Sequence, residues 1–157
     1  MIRSAVVEDV PVIQAMIREL AEYEKVPHEA RATQEQLREA LFGERPAAFA
    51  HIAESDAGEV VGFSVWFLSF STWRGVHGIY LEDLYVRPGA RGGGYGRALL
   101  GELARICGER GYGRLEWSVL KWNAPTIEFY EALGARAQDE WSVYRLTDGA
   151  LRVVGGA

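Results

Sequence analysis

Two acids on an apolar strand precede a glycine-dense turn near the middle of the chain, and this combination is the one most suited to chemistry. Residues 81–86 read Leu-Glu-Asp-Leu-Tyr-Val, and residues 91–96 read Arg-Gly-Gly-Gly-Tyr-Gly. Glycines let backbone N–H groups approach a ligand, and the start of the next helix adds unpaired donors and a positive dipole end. The pattern predicts that Arg91 to Gly96 binds an anion such as a pyrophosphate. A tight strand-to-helix connection, which also needs glycine, is the structural alternative.

The spacing of the turn does not fit two common nucleotide motifs. A mononucleotide P-loop places Lys and then Ser or Thr after its last glycine, whereas Arg97 and Ala98 follow Gly96. A dinucleotide fingerprint follows the first strand and places an acid about 20 residues later at a strand end. Here the glycines lie past mid-chain, and Glu116 falls inside a later strand.

A second motif follows at residues 123–135, which read Asn-Ala-Pro-Thr-Ile-Glu-Phe-Tyr-Glu-Ala-Leu-Gly-Ala. The two motifs, in this order and at this separation, resemble the GNAT superfamily of N-acetyltransferases. The segments Tyr80 to Asp83, Trp122-Asn123 and Glu19 to Glu24 further resemble its spermidine/spermine N-acetyltransferase group, which includes relatives acting on thialysine and other small amines. The resemblance extends from about residue 2 to residue 146.

The resemblance implies acetyl-coenzyme A as the cosubstrate and no metal. A backbone N–H near Val86 would polarise the thioester carbonyl, as an oxyanion hole does. Asn123 would bind the cofactor, and it also suits the N-cap of a helix beginning at Pro125; the two roles are compatible. The residues expected to contact the cofactor are Leu84, Tyr85, Val86, Arg91, Gly92, Gly93, Gly94, Tyr95, Gly96, Arg97, Asn123, Pro125 and Thr126.

Acetyl transfer to an amine needs a proton acceptor, because an alkylamine with a pKa of about 10.4 is protonated at pH 7. The resemblance implies that Glu82 accepts this proton through a water; the alternative is a structural carboxylate paired with an arginine. Strand alternation predicts that Asp83 points to the opposite face, so that only one of the two acids faces the site directly. Tyr130 would donate its hydroxyl proton to the departing thiolate, or else pack as a helix tyrosine on the sheet.

The expected substrate site combines Glu82 and Asp83 with two residues from the end of the first helix. Tyr23 and Glu24 match residues that line the amine site in the polyamine group. Glu24 would attract a distal ammonium and Tyr23 would pack on the methylene chain. A solvated helix end is the alternative for both.

Composition indicates one soluble enzyme domain over residues 1–157, with 48% hydrophobic and 25% charged residues. A net charge of −5 without a basic stripe disfavours a nucleic-acid partner and is compatible with a cationic substrate. Strand-sized apolar stretches and no secretory signal predict no membrane partner and a cytoplasmic location. Cys107 is expected to be buried packing, and His28, His51 and His77 lack metal-binding spacing.

The predicted fold is a GNAT-like α/β domain with a mixed central sheet, helices on both faces and the order βααββββαβαβ. Thr33 and Gln36 form a predicted capping box, and residues 56–58 a hairpin turn. Residues 150–157 are expected to be a loose tail. Strands are predicted over 2–7, 49–54, 59–69, 75–86, 114–119 and 137–146, and helices from Glu8 and over 33–42, 97–110 and 125–133.

Three functions remain open at this stage. The first is a small-amine acetyltransferase acting on a diamine, polyamine or thialysine-like amino acid. The second is a protein N-acetyltransferase with the same cofactor site, and the third is a noncatalytic coenzyme A-binding module, which would require neither Glu82 nor Tyr130. The resemblance also implies a homodimer formed through the C-terminal halves, with the apolar strand Trp141 to Leu146 contributing.

Overall fold

The computed structural model describes residues 1–156, which form two compact units divided between Ser118 and Val119. The first unit holds most of the secondary structure, and the second contains two helices. That the whole chain acts as one domain stays a prediction. The elements are β1 Ile2–Ser4, α1 Val10–Tyr23, α2 Gln34–Phe42, β2 Phe49–Glu54, β3 Val60–Ser71, β4 Val76–Val86, α3 Tyr95–Arg110, β5 Leu115–Trp117, α4 Ala124–Ala132 and α5 Asp148–Val154.

The strands of the first unit form one mixed sheet in the order β1-β2-β3-β4-β5. The first four strands pair antiparallel with their neighbours, and β5 pairs parallel with β4. A parallel neighbour requires a crossover connection, and α3 supplies it. The predicted mixed α/β class is confirmed.

Helices cover both faces of this sheet, as predicted. Ile52 and Phe63 pack in one core with Ile13 of α1 and Leu41 of α2. Ala53, the neighbour of Ile52 on β2, packs in a second core with Leu99 of α3. Successive strand residues face opposite sides, so α1 and α2 lie on one face and α3 on the other.

Local signals in the first half of the chain are confirmed. The Thr33 hydroxyl accepts a hydrogen bond from the Gln36 backbone N–H, and the Gln36 side chain accepts one from the Thr33 N–H. Gly58 turns the β2–β3 hairpin with a φ of +80°. Both signals depend on residues at most four positions apart, so local sequence is sufficient to specify them.

The predicted order contains one strand too many before α3 and a closing strand that does not form. Within residues 1–156, three strands rather than four lie between α2 and α3, and residues 137–146 have no strand structure. A strand requires a hydrogen-bonded partner, and an alternating pattern cannot specify one. Trp141, Val143 and Tyr144 of this segment are exposed.

The expected loose tail is also wrong over residues 150–154, because α5 covers Asp148–Val154. Asp148 lies in its first turn and Arg152 in its last, an arrangement that complements the helix dipole. The glycines that suggested a tail begin only at Gly155, which caps the helix. No helix in the described part of the chain is long and apolar enough to cross a membrane.

Candidate active site

The glycine turn ends at the N-terminus of α3, as the sequence predicted. Gly94 occupies the N-cap position with a φ of +82°, a conformation that residues with a Cβ rarely adopt. No side chain caps the helix, and the first backbone N–H groups of α3 have no intrahelical acceptor. A Cβ built on Gly94 meets no atom within 4 Å. The turn therefore offers open space next to a row of donors.

Arg91 connects this turn to β4 and α1. Its Nε donates a hydrogen bond to the Val86 carbonyl at 3.1 Å. Its guanidinium carbon lies 5.1 Å from the ring centroid of Tyr23 and 5.9 Å from that of Tyr85. These distances are in the range of cation–π contacts. One predicted cofactor residue thus lies beside the predicted amine-site residue Tyr23.

A β-bulge in β4 occurs at Glu82. Val65 pairs with Asp83, and the next residue of β3, Trp66, pairs with Leu81, so Glu82 is the extra residue. Because Val65 and Trp66 face opposite sides of the sheet, their partners Asp83 and Leu81 also face opposite sides. The regular alternation predicted for Glu82 and Asp83 is therefore interrupted. Alternation along β4 does not limit the site to one of the two acids.

The bulge coincides with the point where β5 leaves β4. The parallel pairing covers Ile79–Leu81 and Leu115–Trp117, and β4 continues to Val86 paired with β3 alone. Within the described sheet, the β5 side of residues 82–86 is thus not part of a strand ladder. Backbone N–H and C=O groups on such an edge are available to a ligand.

Glu24, Glu82 and Asp83 form an acid cluster where α1 ends. Burial, followed by the charges of Glu82 and Glu24, raises the pKa of Asp83 to about 7. Burial and the charge of Glu82 also raise the pKa of Glu24. Like charges held together in partly buried positions disfavour full ionisation. The structure thus brings together three of the four predicted substrate-site residues, and the fourth, Tyr23, is the last residue of α1 and directly precedes Glu24.

An ion pair, the Glu19–Arg87 anchor, connects α1 to the residue that follows β4, and sequence analysis missed it. Arg87 donates two hydrogen bonds to the carboxylate of Glu19, one from Nε at 3.2 Å and one from Nη2 at 3.0 Å. It also donates to the Val60 carbonyl. Burial and the nearby Glu19 charge raise the pKa of Tyr85, which packs in the core next to this pair. Glu19 and Arg87 are 68 positions apart, and nothing local pairs them.

The second unit carries the remaining predicted residues. Asn123 is buried at the N-cap position of α4, but its side chain does not make the capping hydrogen bond. The helix begins at Ala124, one residue before the predicted Pro125, and Thr126 lies in its first turn. Tyr130 is partly buried in the last half of α4, with its ring 5.5 Å from that of Phe129.

His51 and Cys107 have structural surroundings. Buried His51 accepts a hydrogen bond at Nδ1 from the Trp66 indole at 3.1 Å, and burial lowers its pKa. Burial raises the pKa of the Cys107 thiol, which suits packing rather than nucleophilic chemistry. Within residues 1–156, no group of three or more His, Cys, Asp or Glu residues could hold a metal ion.

Comparison with known proteins identifies the family of this arrangement. The model of the acetyltransferase (GNAT) family matches residues 13–135. The chain belongs to this family. It is similar to the thialysine N-epsilon-acetyltransferase of Bos taurus, with 39% identity over 99% of this chain and 97% of the relative.

One further relative and one solved structure are also similar to this chain over most of its length. The L-ornithine N5-acetyltransferase of Arabidopsis thaliana is 29% identical over 98% of this chain and 86% of its own length. An integron cassette protein from Vibrio cholerae has a solved structure with a TM-score of 0.82 and 25% identity, covering 100% of this chain and 98% of its own. The chain is thus an acetyltransferase of the GNAT family, whose members use acetyl-coenzyme A.

Replacing Asp83 with Asn should stabilise the protein at high pH. Because the folded-state pKa is raised to about 7, ionised Asp83 destabilises the fold. This penalty is absent below about pH 4, the ordinary aspartate pKa, grows as the pH rises to 7, and is constant above it. Urea unfolding should show a gain of more than about 1 kcal/mol at pH 8, and a smaller gain at pH 5. Asp56→Asn, in the exposed hairpin, controls for loss of a charge; equal gains for Asp83→Asn at both pH values would contradict the prediction.

Proposed function

We propose that this enzyme transfers the acetyl group of acetyl-coenzyme A to the primary amine of a small molecule that carries a second cationic group. A diamine, a polyamine or a thialysine-like amino acid fits this description. The observation that carries the proposal is the acid cluster of Glu24, Glu82 and Asp83, because an ammonium group bound there would relieve the repulsion that raises the pKa of Asp83. Relatives named for thialysine and ornithine acetylation support the same substrate class.

The cofactor assignment rests on the glycine turn and on the free edge of β4. The pyrophosphate of acetyl-coenzyme A would bind the N–H groups at Gly92 to Gly96, with Arg91 and Arg97 supplying positive charge. The pantetheine and thioester would follow the edge of β4 at residues 84–86, where the N–H near Val86 would polarise the acetyl carbonyl. Asn123, Pro125 and Thr126 are proposed as further cofactor contacts from the family motif.

The chemistry would proceed by direct attack of the neutral amine on the thioester. Glu82, exposed at the bulge, would accept the amine proton through a water, and the pKa of the neighbouring Asp83 is raised to about 7. The tetrahedral intermediate would collapse with release of coenzyme A as a thiolate. Tyr130 would donate its phenolic proton to that thiolate.

The enzyme would recognise the substrate through one aromatic contact and one charged contact. Tyr23 is about two-fifths exposed, so its ring can pack on a methylene chain. Glu24 follows directly and would pair with the distal ammonium. The net charge of −5 would favour the approach of such a cation.

A homodimer is proposed as the working form. The supporting observation is the segment from Trp141 to Leu146 in the second unit, where apolar side chains of four residues are more than half exposed. Exposed apolar groups in such density mark interaction surfaces. An isologous contact would cover the same segment on both subunits.

Coenzyme A binding should be sensitive to a Cβ at Gly94. Gly94→Ala should raise the dissociation constant for coenzyme A about tenfold or more, because the methyl group would enter the space in front of the helix donors. Gly58 is a matched control, since its φ of +80° and open surroundings give an alanine the same backbone strain. Calorimetry should show weakened binding only for Gly94→Ala, with similar losses of melting temperature for both. Equal affinities in two folded variants would remove the turn from the cofactor site.

Substrate class can be tested by release of free thiol from acetyl-coenzyme A with a panel of amines. Diamines, polyamines and thialysine should be acetylated with a higher kcat/KM than a monoamine of equal length or a peptide with a free N-terminus. Glu24→Gln should raise KM for the diamine about tenfold and leave the monoamine unchanged, since only the diamine loses a charged partner. A preference for the peptide would favour a protein N-acetyltransferase, and no thiol release with any amine would favour a coenzyme A-binding module.

Tyr130 and Glu82 should affect the chemical step more than cofactor binding, and in different ways. Tyr130→Phe keeps the ring but removes the proton donor, so kcat should fall by roughly 10²–10⁴ at every pH. Glu82→Gln removes the acceptor, so activity should partly recover as the pH rises and more amine is neutral in solution. Tyr112→Phe, on a tyrosine outside the candidate site in the loop before β5, is the control for the first variant.

These two assignments can fail separately. Normal turnover of Tyr130→Phe with normal coenzyme A affinity would exclude the acid role. An unchanged pH–rate profile for Glu82→Gln would mean that the proton leaves through another group, and Asp83→Asn would then be the variant to measure.

A further inference from the structure

A second cleft lies at the far end of the sheet from the glycine turn. It is open to solvent and lies where the β3–β4 hairpin meets the loop before β5. Its polar lining combines two arginines, two serines, a histidine and one acid, namely Ser69, Ser71, Arg74, His77, Arg114 and Glu116. Gly78 and Val86 are eight positions apart on β4, so the cleft and the glycine turn are separated by roughly 26 Å along the strand.

Two glycines allow the arginines to pack here. A Cβ on Gly78 would lie 2.8 Å from the Arg114 carbonyl and 3.0 Å from Arg114 Cγ. A Cβ on Gly113 would lie 3.3 Å from Arg74 Cδ. Both side-chain stems thus occupy space that a larger residue would take. The guanidinium groups are held at the cleft by this packing and not only by charge.

The hydrogen bonds leave donors facing the cleft. Ser71 Oγ accepts from the Arg114 guanidinium at 3.0 Å and from the Arg74 backbone N–H at 3.1 Å. A hydroxyl that already accepts two hydrogen bonds has its own proton left to donate. Arg114 also lies 3.6 Å from Glu116, and Arg74 makes a long 3.5 Å bond to the Gly113 carbonyl. Two guanidinium groups against one carboxylate leave one net positive charge.

We propose that this cleft binds a small oxyanion, a phosphate or a carboxylate group, at Arg74, Arg114 and Ser71. Guanidinium groups present paired N–H donors that match the oxygen spacing of both groups, and the serine adds a third direction of approach. The site is independent of the acetyl-transfer site and does not rest on the proposed function. It would place an anionic ligand at the start of β4, the strand that carries Glu82 and Asp83.

The test is a titration of the full chain with sodium phosphate at constant ionic strength, followed by backbone amide chemical shifts. Saturable shifts should appear at Ser71, His77 and Arg114. A parallel titration with succinate distinguishes the two sources of oxyanion, and saturation by either one at these residues supports the site. Shifts that do not saturate with both anions, or that are confined to residues 91–96, would overturn it.

Two charge-removing variants and one control complete the experiment. Arg114→Gln and Arg74→Gln should each raise the dissociation constant about tenfold or more, because each removes a charge-assisted contact. Arg74 is exposed, so Arg74→Gln decides the matter if Arg114→Gln does not fold. Arg105→Gln removes an equal charge from α3, where Arg105 pairs with Glu102 and Glu109, and should leave the affinity unchanged. An equal loss in this control would reduce the binding to a general charge effect.

Discussion

The extra residue in β4 is the constraint on which the candidate site depends. Up to Leu81, β4 follows one alternation, and from Asp83 onward it follows the other. Tyr85 packs in the core beneath α1 only in the second alternation, opposite Phe63. Without the bulge at Glu82, every residue after it would change faces, and Asp83 and Tyr85 would point away from α1. The same irregularity also falls where β5 separates from β4, so it joins the acid cluster to the free strand edge.

The acid cluster reduces stability, and the neighbouring contacts hold it together. Burial and the charges of neighbouring carboxylates raise the pKa values of Asp83 and Glu24, which is unfavourable for the ionised fold. Arg87 pairs with Glu19, and Arg91 lies over Tyr23, the residue before Glu24. Both contacts connect α1 to the end of β4. Proteins accept such local costs where a ligand of opposite charge repays them, and this distribution of charge is one reason to place the substrate here.

Sequence analysis was most accurate where structure depends on near neighbours. The capping box of Thr33 and Gln36, the hairpin turn at Gly58 and the strand Phe49–Glu54 were all predicted correctly. Errors occurred where a structural feature depends on a residue that is distant in the sequence. Residues 137–146 were predicted as a strand but have no ladder in the described chain, and the Glu19–Arg87 anchor has no local signature.

In the candidate site, too, local features were predictable from the sequence and features that depend on distant residues were not. Motif spacing selected Glu82, Asp83 and the turn before α3 as candidates, because a family motif records residue identity at fixed separation. It did not show the bulge, since register depends on the pairing between β3 and β4. Nor did motif spacing show that the pKa of Asp83 would be strongly raised, because that requires knowing that Asp83 is half-buried and that Glu24, at the C-cap of α1, lies near it.

The acid cluster also offers a solution to a difficulty in acetylating a substrate with two amines. One amine must lose its proton to attack, while the other must stay charged to be recognised. Fixed carboxylates with ordinary pKa values would hold the second ammonium but would be poor acceptors for the first. In the proposed complex, the distal ammonium would pair with Glu24 and favour its ionised form, whereas the half-buried Asp83, whose pKa is raised to about 7, would accept a proton more readily near neutral pH. Interacting groups titrate together, so binding one cation to the cluster would change its capacity to accept the proton of the other. Substrate charge and general-base strength would therefore be coupled through the three carboxylates that the bulge brings together.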